Sequence, residues 1–80
     1  MKTLKGFIGN FENTVDGIEP GSLNAETVFR SLKQWDSLAV LMLIDMVDTE
    51  YDLRLNSQQM KEAETLEDLY RLITDKKEAE

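Results

Sequence analysis

Residues 35–47 read WDSLAVLMLIDMV, and this stretch decides the fold. Asp36 is a favourable N-cap residue, so the sequence predicts a helix from Asp36 to about Tyr51, with Ser37 in its first turn. Ten residues follow Ser37, and only Asp45 among them is polar. A helix at the surface of a small protein normally shows a polar face. The stretch therefore predicts a helix that is either covered on most sides or exposes apolar side chains to a partner.

The helical periodicity sorts these apolar side chains into two groups. At about 100° per residue, one sector collects a set expected to fill the core: Val40, Leu43, Ile44, Val47 and Tyr51. Leu38, Leu41 and Met42 fall outside that sector, within about one turn of Ser37. Two interpretations stay open for these three residues. Either the connection that precedes the helix covers them, or they form an exposed docking patch.

The N-terminal half predicts one helix and a long first loop. Apolar residues at helical spacing mark the helix: Leu4, Phe7, Ile8, Phe11 and Val15. Asp16-Gly17 and Pro20-Gly21-Ser22 then break the pattern, and a connection runs from about residue 16 to 35. We expect this connection to be pinned to the core, with a short helical turn near Ala25–Leu32. Its candidate anchors are Ile18, Leu23, Val28, Phe29 and Leu32.

The C-terminal half predicts two more helices. Asn56 or Ser57 can cap a brief helix that runs through Met60 to Ala63. Thr65-Leu66-Glu67-Asp68 has the form of a capping box, and Leu66, Leu69, Tyr70 and Ile73 follow at helical spacing. The polar tail is expected to fray from about residue 76. The prediction is an all-α fold: a single domain over residues 1–80, as a small four-helix bundle of three longer helices and one short helix.

Composition excludes several kinds of chemistry. The chain has no cysteine and no histidine, which removes disulfides, zinc sites built on those residues, and Ser-His-Asp or Cys-His catalysis. The net charge of −7 lies entirely in residues 36–80, where five basic residues face twelve acidic ones. This acidity disfavours nucleic acid and anionic membranes and favours partners with basic docking surfaces. Asp45 and Asp48 would form the charged rim of the docking patch. No metal site is predicted, because Leu53 stands where a calcium loop starting at Asp48 would need glycine.

The apolar runs are too short to span a bilayer, and residues 1–12 lack the sustained apolar stretch of a signal peptide. We therefore expect a cytoplasmic monomer.

Taken together, these features resemble the acyl carrier protein family. Asp36-Ser37-Leu38 opens the second helix as the family's Asp-Ser-Leu motif does, and Thr27-x-Phe29-x-x-Leu32 precedes it at the family's spacing. The acidic helix, Tyr51, the short third helix and the capped last helix then follow in order. The resemblance covers essentially the whole chain.

The resemblance implies a carrier and not an enzyme. A phosphopantetheinyl transferase would attach 4′-phosphopantetheine from coenzyme A to Ser37 through a phosphodiester, and would read Asp36. The terminal thiol would hold acyl groups as thioesters and present them to acyl-loading and acyl-processing enzymes, in fatty-acid-like or specialised acyl biosynthesis. A helix N-terminus favours an attached phosphate through its free N–H groups and its dipole. Because the chemistry belongs to the partner, Ser37 needs no base of its own.

Two departures from the family pattern bear on specificity. Many members have glycine where this chain has Trp35, which either anchors the loop or contacts a partner or the acyl group. Leu41 and Met42 make the face near Ser37 less acidic than in fatty-acid carriers, which leaves a specialised carrier open. An aminoacyl or peptidyl carrier and an unmodified interaction bundle are the alternative functions. Ser37 is the only predicted attachment site, because Ser22, Ser31 and Ser57 lack the Asp-Ser-Leu context.

Overall fold

The computed structural model describes residues 3–79, with side-chain positions from residue 3 to residue 76. Its elements are α1 (Leu4–Thr14), a 3₁₀ turn (Phe29–Ser31), α2 (Ser37–Tyr51), α3 (Ser57–Met60) and α4 (Leu66–Ala79). Among the described residues there is no strand, only an isolated antiparallel bridge between Val28 and Thr65. The predicted bundle of three longer helices and one short helix is confirmed. No helix within residues 3–79 has the length and apolar character needed to cross a membrane.

Helix α1 begins where the Thr3 hydroxyl accepts a hydrogen bond from the Gly6 N–H at 3.0 Å. Its apolar stripe faces α2 and α4, and three residues of the stripe are buried: Phe7, Phe11 and Val15. The ring of Phe7 meets Tyr51 of α2 at 6.0 Å and Tyr70 of α4 at 5.7 Å, between ring centroids. The predicted first helix is therefore the element around which the other two long helices pack.

The long first loop is pinned to the core, as predicted, but not through every expected anchor. Phe29 is completely buried, and Ile18, Leu23 and Leu32 are half-buried against the core. The expectation for Val28 was wrong, because its side chain is 44% exposed. Val28 contributes through its backbone, which pairs with Thr65 in the bridge. The predicted helical turn is present as the short 3₁₀ turn.

Helix α2 is buried on a face rotated from the predicted one. Leu43, Val47 and Tyr51 are buried as expected, but Ala39 and Met46 complete the buried face. Val40 and Ile44, placed in the core by the sequence, are only half-buried. The reason is that α2 packs against α1 through one side, so the side that carries Val40 and Ile44 faces the smaller α3 and the segment before it.

The last two helices start as the local sequence predicts. Asn56 and Gln59 form a reciprocal capping box at α3, and Thr65 and Asp68 do the same at α4. Leu66, Leu69 and Ile73 of α4 are completely buried. The structure continues α4 to Ala79 and Glu80 lies outside the described residues, so fraying from about residue 76 stays a prediction.

Candidate functional site

The N-terminus of α2 presents a serine to solvent. The Asp36 carboxylate accepts a hydrogen bond from the Ala39 N–H at 2.8 Å, which caps the helix and confirms the predicted start. Ser37 is the first helical residue, and its side chain is exposed. The N–H groups of Ser37 and Leu38 have no intrahelical partner at this position. The first turn therefore combines a reachable hydroxyl with two N–H donors, an arrangement that suits an attached phosphate.

The residues predicted for the docking patch differ in exposure. Leu38 and Leu41 are 61% and 64% exposed, the two most exposed large apolar side chains in the described part of the chain. Met42 is half-buried, and it lines a small cavity together with Val15, the residue that follows α1. Neither sequence interpretation holds for all three residues: the loop side covers Met42 in part and leaves Leu38 and Leu41 open.

Two carboxylates and one guanidinium lie near the exposed Leu41. Asp45 and Asp48 are exposed on the same outward side of α2. The Arg54 guanidinium lies 3.9 Å from the Asp48 carboxylate, and together with Leu41 these residues border a shallow groove. Sequence reasoning missed Arg54, because nothing in its spacing showed that the extended segment after α2 folds back beside Asp48. The rim is therefore mixed in charge and not purely acidic.

Trp35 anchors the end of the long loop. Its indole stacks on the ring of Phe11, with centroids 5.8 Å apart and ring planes 15° apart. It also meets the ring of Phe29 edge-on at 5.0 Å. These contacts show the first of the two roles left open for Trp35, that of a loop anchor. The residue is half-buried.

A partly open cavity of about 160 Å³ adjoins this tryptophan. It lies between the end of the loop, the first turn of α2 and α3, and its lining is almost wholly apolar. The lining residues are Phe29, Arg30, Trp35, Val40, Ser57, Met60 and Lys61. Val40 stands one helical turn after Ser37, so the cavity is next to the exposed serine. Two of the lining residues are cationic and none is acidic.

A second cavity, of about 130 Å³, lies on the opposite flank of the same turn. Val15, Leu38 and Met42 give it apolar walls, and Asp16 and Asp36 also line it. The exposed serine thus stands between two small cavities, one almost wholly apolar and one with two carboxylates in its lining. Within residues 3–79, no group of acidic side chains is arranged to hold a metal ion.

Comparison with known proteins identifies the family. The family model described as "Phosphopantetheine attachment site" matches residues 13–73, which is most of the chain. The chain belongs to this family. Neither the curated proteins nor the solved structures gave a significant match.

Membership establishes a phosphopantetheine carrier protein of the acyl carrier family. Such carriers are not catalysts; they bear a covalently attached 4′-phosphopantetheine group and serve a phosphopantetheinyl transferase and other partner enzymes. The residues at the start of α2 fit that group, because an exposed hydroxyl stands beside two N–H donors that have no intrahelical partner. The matched segment contains the whole of α2 and both cavities that border its first turn.

Proposed function

We propose that this carrier holds its phosphopantetheine arm on Ser37 and transports acyl groups as thioesters. The observation that carries the proposal is the exposed Ser37 hydroxyl in the first turn of α2. On attachment, the Ser37 oxygen bonds to phosphorus while a pyrophosphate bond of coenzyme A breaks and adenosine bisphosphate leaves. In this proposal the hydroxyl proton passes to a base of the transferase. Ser37 contributes position, and the transferase contributes the base.

The cavity beside Trp35 favours an acyl cargo over an aminoacyl cargo. An acyl chain on a flexible arm gains free energy when it leaves water for an apolar cavity. An aminoacyl group carries an ammonium, which would find almost no polar surface in this cavity and no carboxylate to pair with. Burial of an unpaired charge is costly. The apolar lining of this cavity therefore supports a neutral, apolar acyl group.

The cavity on the opposite flank keeps the aminoacyl carrier as the second candidate. Its two carboxylates, Asp16 and Asp36, would attract an ammonium group near the arm. The two cavities thus suit different cargoes, and identification of the bound cargo distinguishes the acyl carrier from the aminoacyl carrier. The larger and more apolar cavity is the reason that we place the acyl function first.

The partners proposed for this carrier recognise the outward face of α2. Leu38 and Leu41 supply exposed apolar surface, and Asp45 and Asp48 supply negative charge. Desolvated apolar anchors contribute most to the lifetime of such complexes, while charges at the rim steer the encounter. The transferase and the acyl-loading and acyl-processing enzymes would therefore present basic docking surfaces. We propose that the carrier is a monomer that serves fatty-acid-like or specialised acyl biosynthesis in the cytoplasm.

Incubation with coenzyme A and a phosphopantetheinyl transferase tests the attachment. Intact mass spectrometry should show a single added phosphopantetheine, and Ser37→Ala should show none while it keeps the helical circular dichroism of the parent. Ser57→Ala, an exposed serine at the start of α3, is the matched control and should be modified like the parent. Modification of Ser37→Ala would refute the assignment, and absence of modification in the parent would refute the carrier function of Ser37.

A pair of isosteric cargoes distinguishes the acyl from the aminoacyl carrier. Leucyl and isocaproyl groups differ by the α-ammonium alone. Each is loaded on the arm, and its cleavage by hydroxylamine is compared with that of the same thioester on free pantetheine. The proposal expects protection of the isocaproyl thioester and little protection of the leucyl thioester. The reverse order would make this chain an aminoacyl carrier that uses the cavity of Asp16 and Asp36.

A further inference from the structure

The wall of the cavity beside Ser37 is held in place by three aromatic rings. Trp35 stacks on Phe11 and meets Phe29 edge-on, and both of these phenylalanines are completely buried. Phe11 and Phe29 also contact each other, with centroids 6.3 Å apart. The indole therefore cannot turn away from the cavity without losing contact with two fixed core residues. A glycine or other small residue at position 35 would leave this space open.

The cavity that remains is small for an acyl site. Its volume is about 160 Å³, close to that of an engineered cavity of about 150 Å³ that binds benzene. Pockets for larger organic ligands are typically about 300–1,000 Å³. By this comparison the space takes about six carbon atoms. Met60 and Val40 also contribute to its lining.

We propose that Trp35 sets an upper size limit on the acyl group that this carrier shelters, so that its cargo is a short aliphatic or single-ring acyl group. The inference rests on the proposed attachment of the arm to Ser37. A longer chain would have to displace the indole from Phe11 and Phe29, or leave its distal carbons in water. Carbons that stay in water add no stabilisation to the sheltered state.

The size limit has a measurable signature in thioester protection. Each buried methylene shifts the equilibrium towards the sheltered state about fourfold. Protection should therefore increase from acetyl to butyryl by on the order of tenfold, because butyryl adds two methylenes that fit the cavity. It should stay high for benzoyl and level off for chains longer than about six carbon atoms.

The experiment loads the arm with acetyl, butyryl, benzoyl, octanoyl and dodecanoyl groups from the corresponding coenzyme A thioesters. The rate of cleavage by hydroxylamine is measured for each, relative to the same thioester on free pantetheine, together with the thermal midpoint. The proposal expects protection to increase from acetyl to butyryl, to stay high for benzoyl, and to be no greater for dodecanoyl than for octanoyl. Protection that continues to increase from octanoyl to dodecanoyl would overturn it.

Four variants connect the limit to the cavity walls. Trp35→Leu should raise the protection of octanoyl above its value in the parent, and Met60→Ala, which shortens another side chain of the lining, should do the same if the first variant folds poorly. Val40→Phe should fill the cavity and abolish the protection of butyryl, whereas Thr49→Phe, which adds the same ring at an exposed site on α2, should not. If the arm attaches but Val40→Phe protects butyryl like the parent, the size limit fails and the attachment stands. If no arm attaches to Ser37, the proposed function itself fails.

Discussion

The carboxylate of Glu12 on α1 accepts a hydrogen bond from the backbone N–H of Gly21 at 2.9 Å, nine residues further along the chain. Its other oxygen accepts from the N–H of Leu23 at 3.0 Å. Glu12 is only 8% exposed, although it carries a charge. Two backbone donors of the long loop therefore depend on one buried carboxylate, which fixes the loop to α1.

Glu12→Gln should lower the free energy of unfolding by about 1.5–3 kcal/mol. The amide keeps one acceptor oxygen, but its NH₂ group then faces a backbone N–H that it cannot satisfy. Urea denaturation measures the change, and Glu19→Gln, an exposed residue of the same loop, is the control. Equal midpoints for parent and Glu12→Gln would show that these two hydrogen bonds contribute nothing net to the fold.

The contrast between Glu12 and Asp36 shows what the sequence could predict. Asp36, Asn56 and Thr65 act on N–H groups three residues away, so helix starts and the position of Ser37 follow from local chemistry. Glu12 acts across a loop, and its bonds to Gly21 and Leu23 depend on a tertiary arrangement that no local pattern encodes.

The same limit explains the rotated buried face of α2. Periodicity identifies which apolar residues share a side, but the identity of the neighbouring helix decides which side is covered. Val40 faces the four-residue α3, and Ile44 faces the short segment before it. Neither is large enough to bury these side chains. For the same reason the sequence did not reveal the cavity between Val40, Trp35 and Met60.

Asp36→Asn should separate the capping role of Asp36 from recognition by the transferase. Asparagine caps about as well as aspartate, so the urea midpoint should stay near that of the parent. The resemblance implies that the transferase reads the charge, so the rate of phosphopantetheine attachment should fall. Asp36→Ala is the comparison variant and should cost about 0.5–2 kcal/mol of stability. Unchanged attachment rates in Asp36→Asn would leave Asp36 as a structural cap alone.

The capping box at α4 should make the free energy of unfolding depend on pH in the acidic range. The backbone N–H of Thr65 donates to the Asp68 carboxylate, and this bond holds the pKa of Asp68 below its usual 3.8. The stabilisation is therefore present above the unfolded-state pKa and is lost as the pH falls through the lower, folded-state pKa.

This dependence is tested by measuring the free energy of unfolding from pH 5 down to the lowest pH at which the protein stays folded. Asp68→Asn should lose less stability over that range than the parent, because its amide does not titrate. Asp75→Asn removes the same charge from the exposed side of α4 and should follow the parent curve. Parallel curves for Asp68→Asn and the parent would show that the cap bond does not distinguish the two protonation states.

Leu41 and Met42 should behave differently when each is replaced by serine. Leu41 is 64% exposed, so Leu41→Ser should change stability by no more than about 0.5 kcal/mol. Met42 is half-buried against Val15, so Met42→Ser should cost about 1–2 kcal/mol, part of the loss expected for a fully buried methionine. If Leu41 is a docking anchor, Leu41→Ser should shorten the lifetime of the complex with the transferase. A large urea shift for Leu41→Ser would instead show that this leucine is part of the core.

Arg54 should weaken the attraction between the outward face of α2 and a basic partner. Its guanidinium lies 3.9 Å from Asp48, in an exposed pair that contributes little to stability but cancels charge at the rim. Arg54→Ala should therefore speed association with a transferase that has a basic docking surface. Asp45→Lys combined with Asp48→Lys should slow it by at least about tenfold at low ionic strength.

Stopped-flow association rates over a series of salt concentrations measure both effects, which should shrink as added salt screens the exposed charges. Arg71→Ala is the matched control, because Arg71 forms a similar exposed pair with Glu67 at 3.7 Å on α4, and its removal changes the net charge by the same amount. The face of α2 is the docking surface if Arg54→Ala speeds association and Arg71→Ala does not. If both variants speed it equally, the partner responds to the net charge of the carrier, and the assignment of Asp45 and Asp48 to the docking rim is wrong.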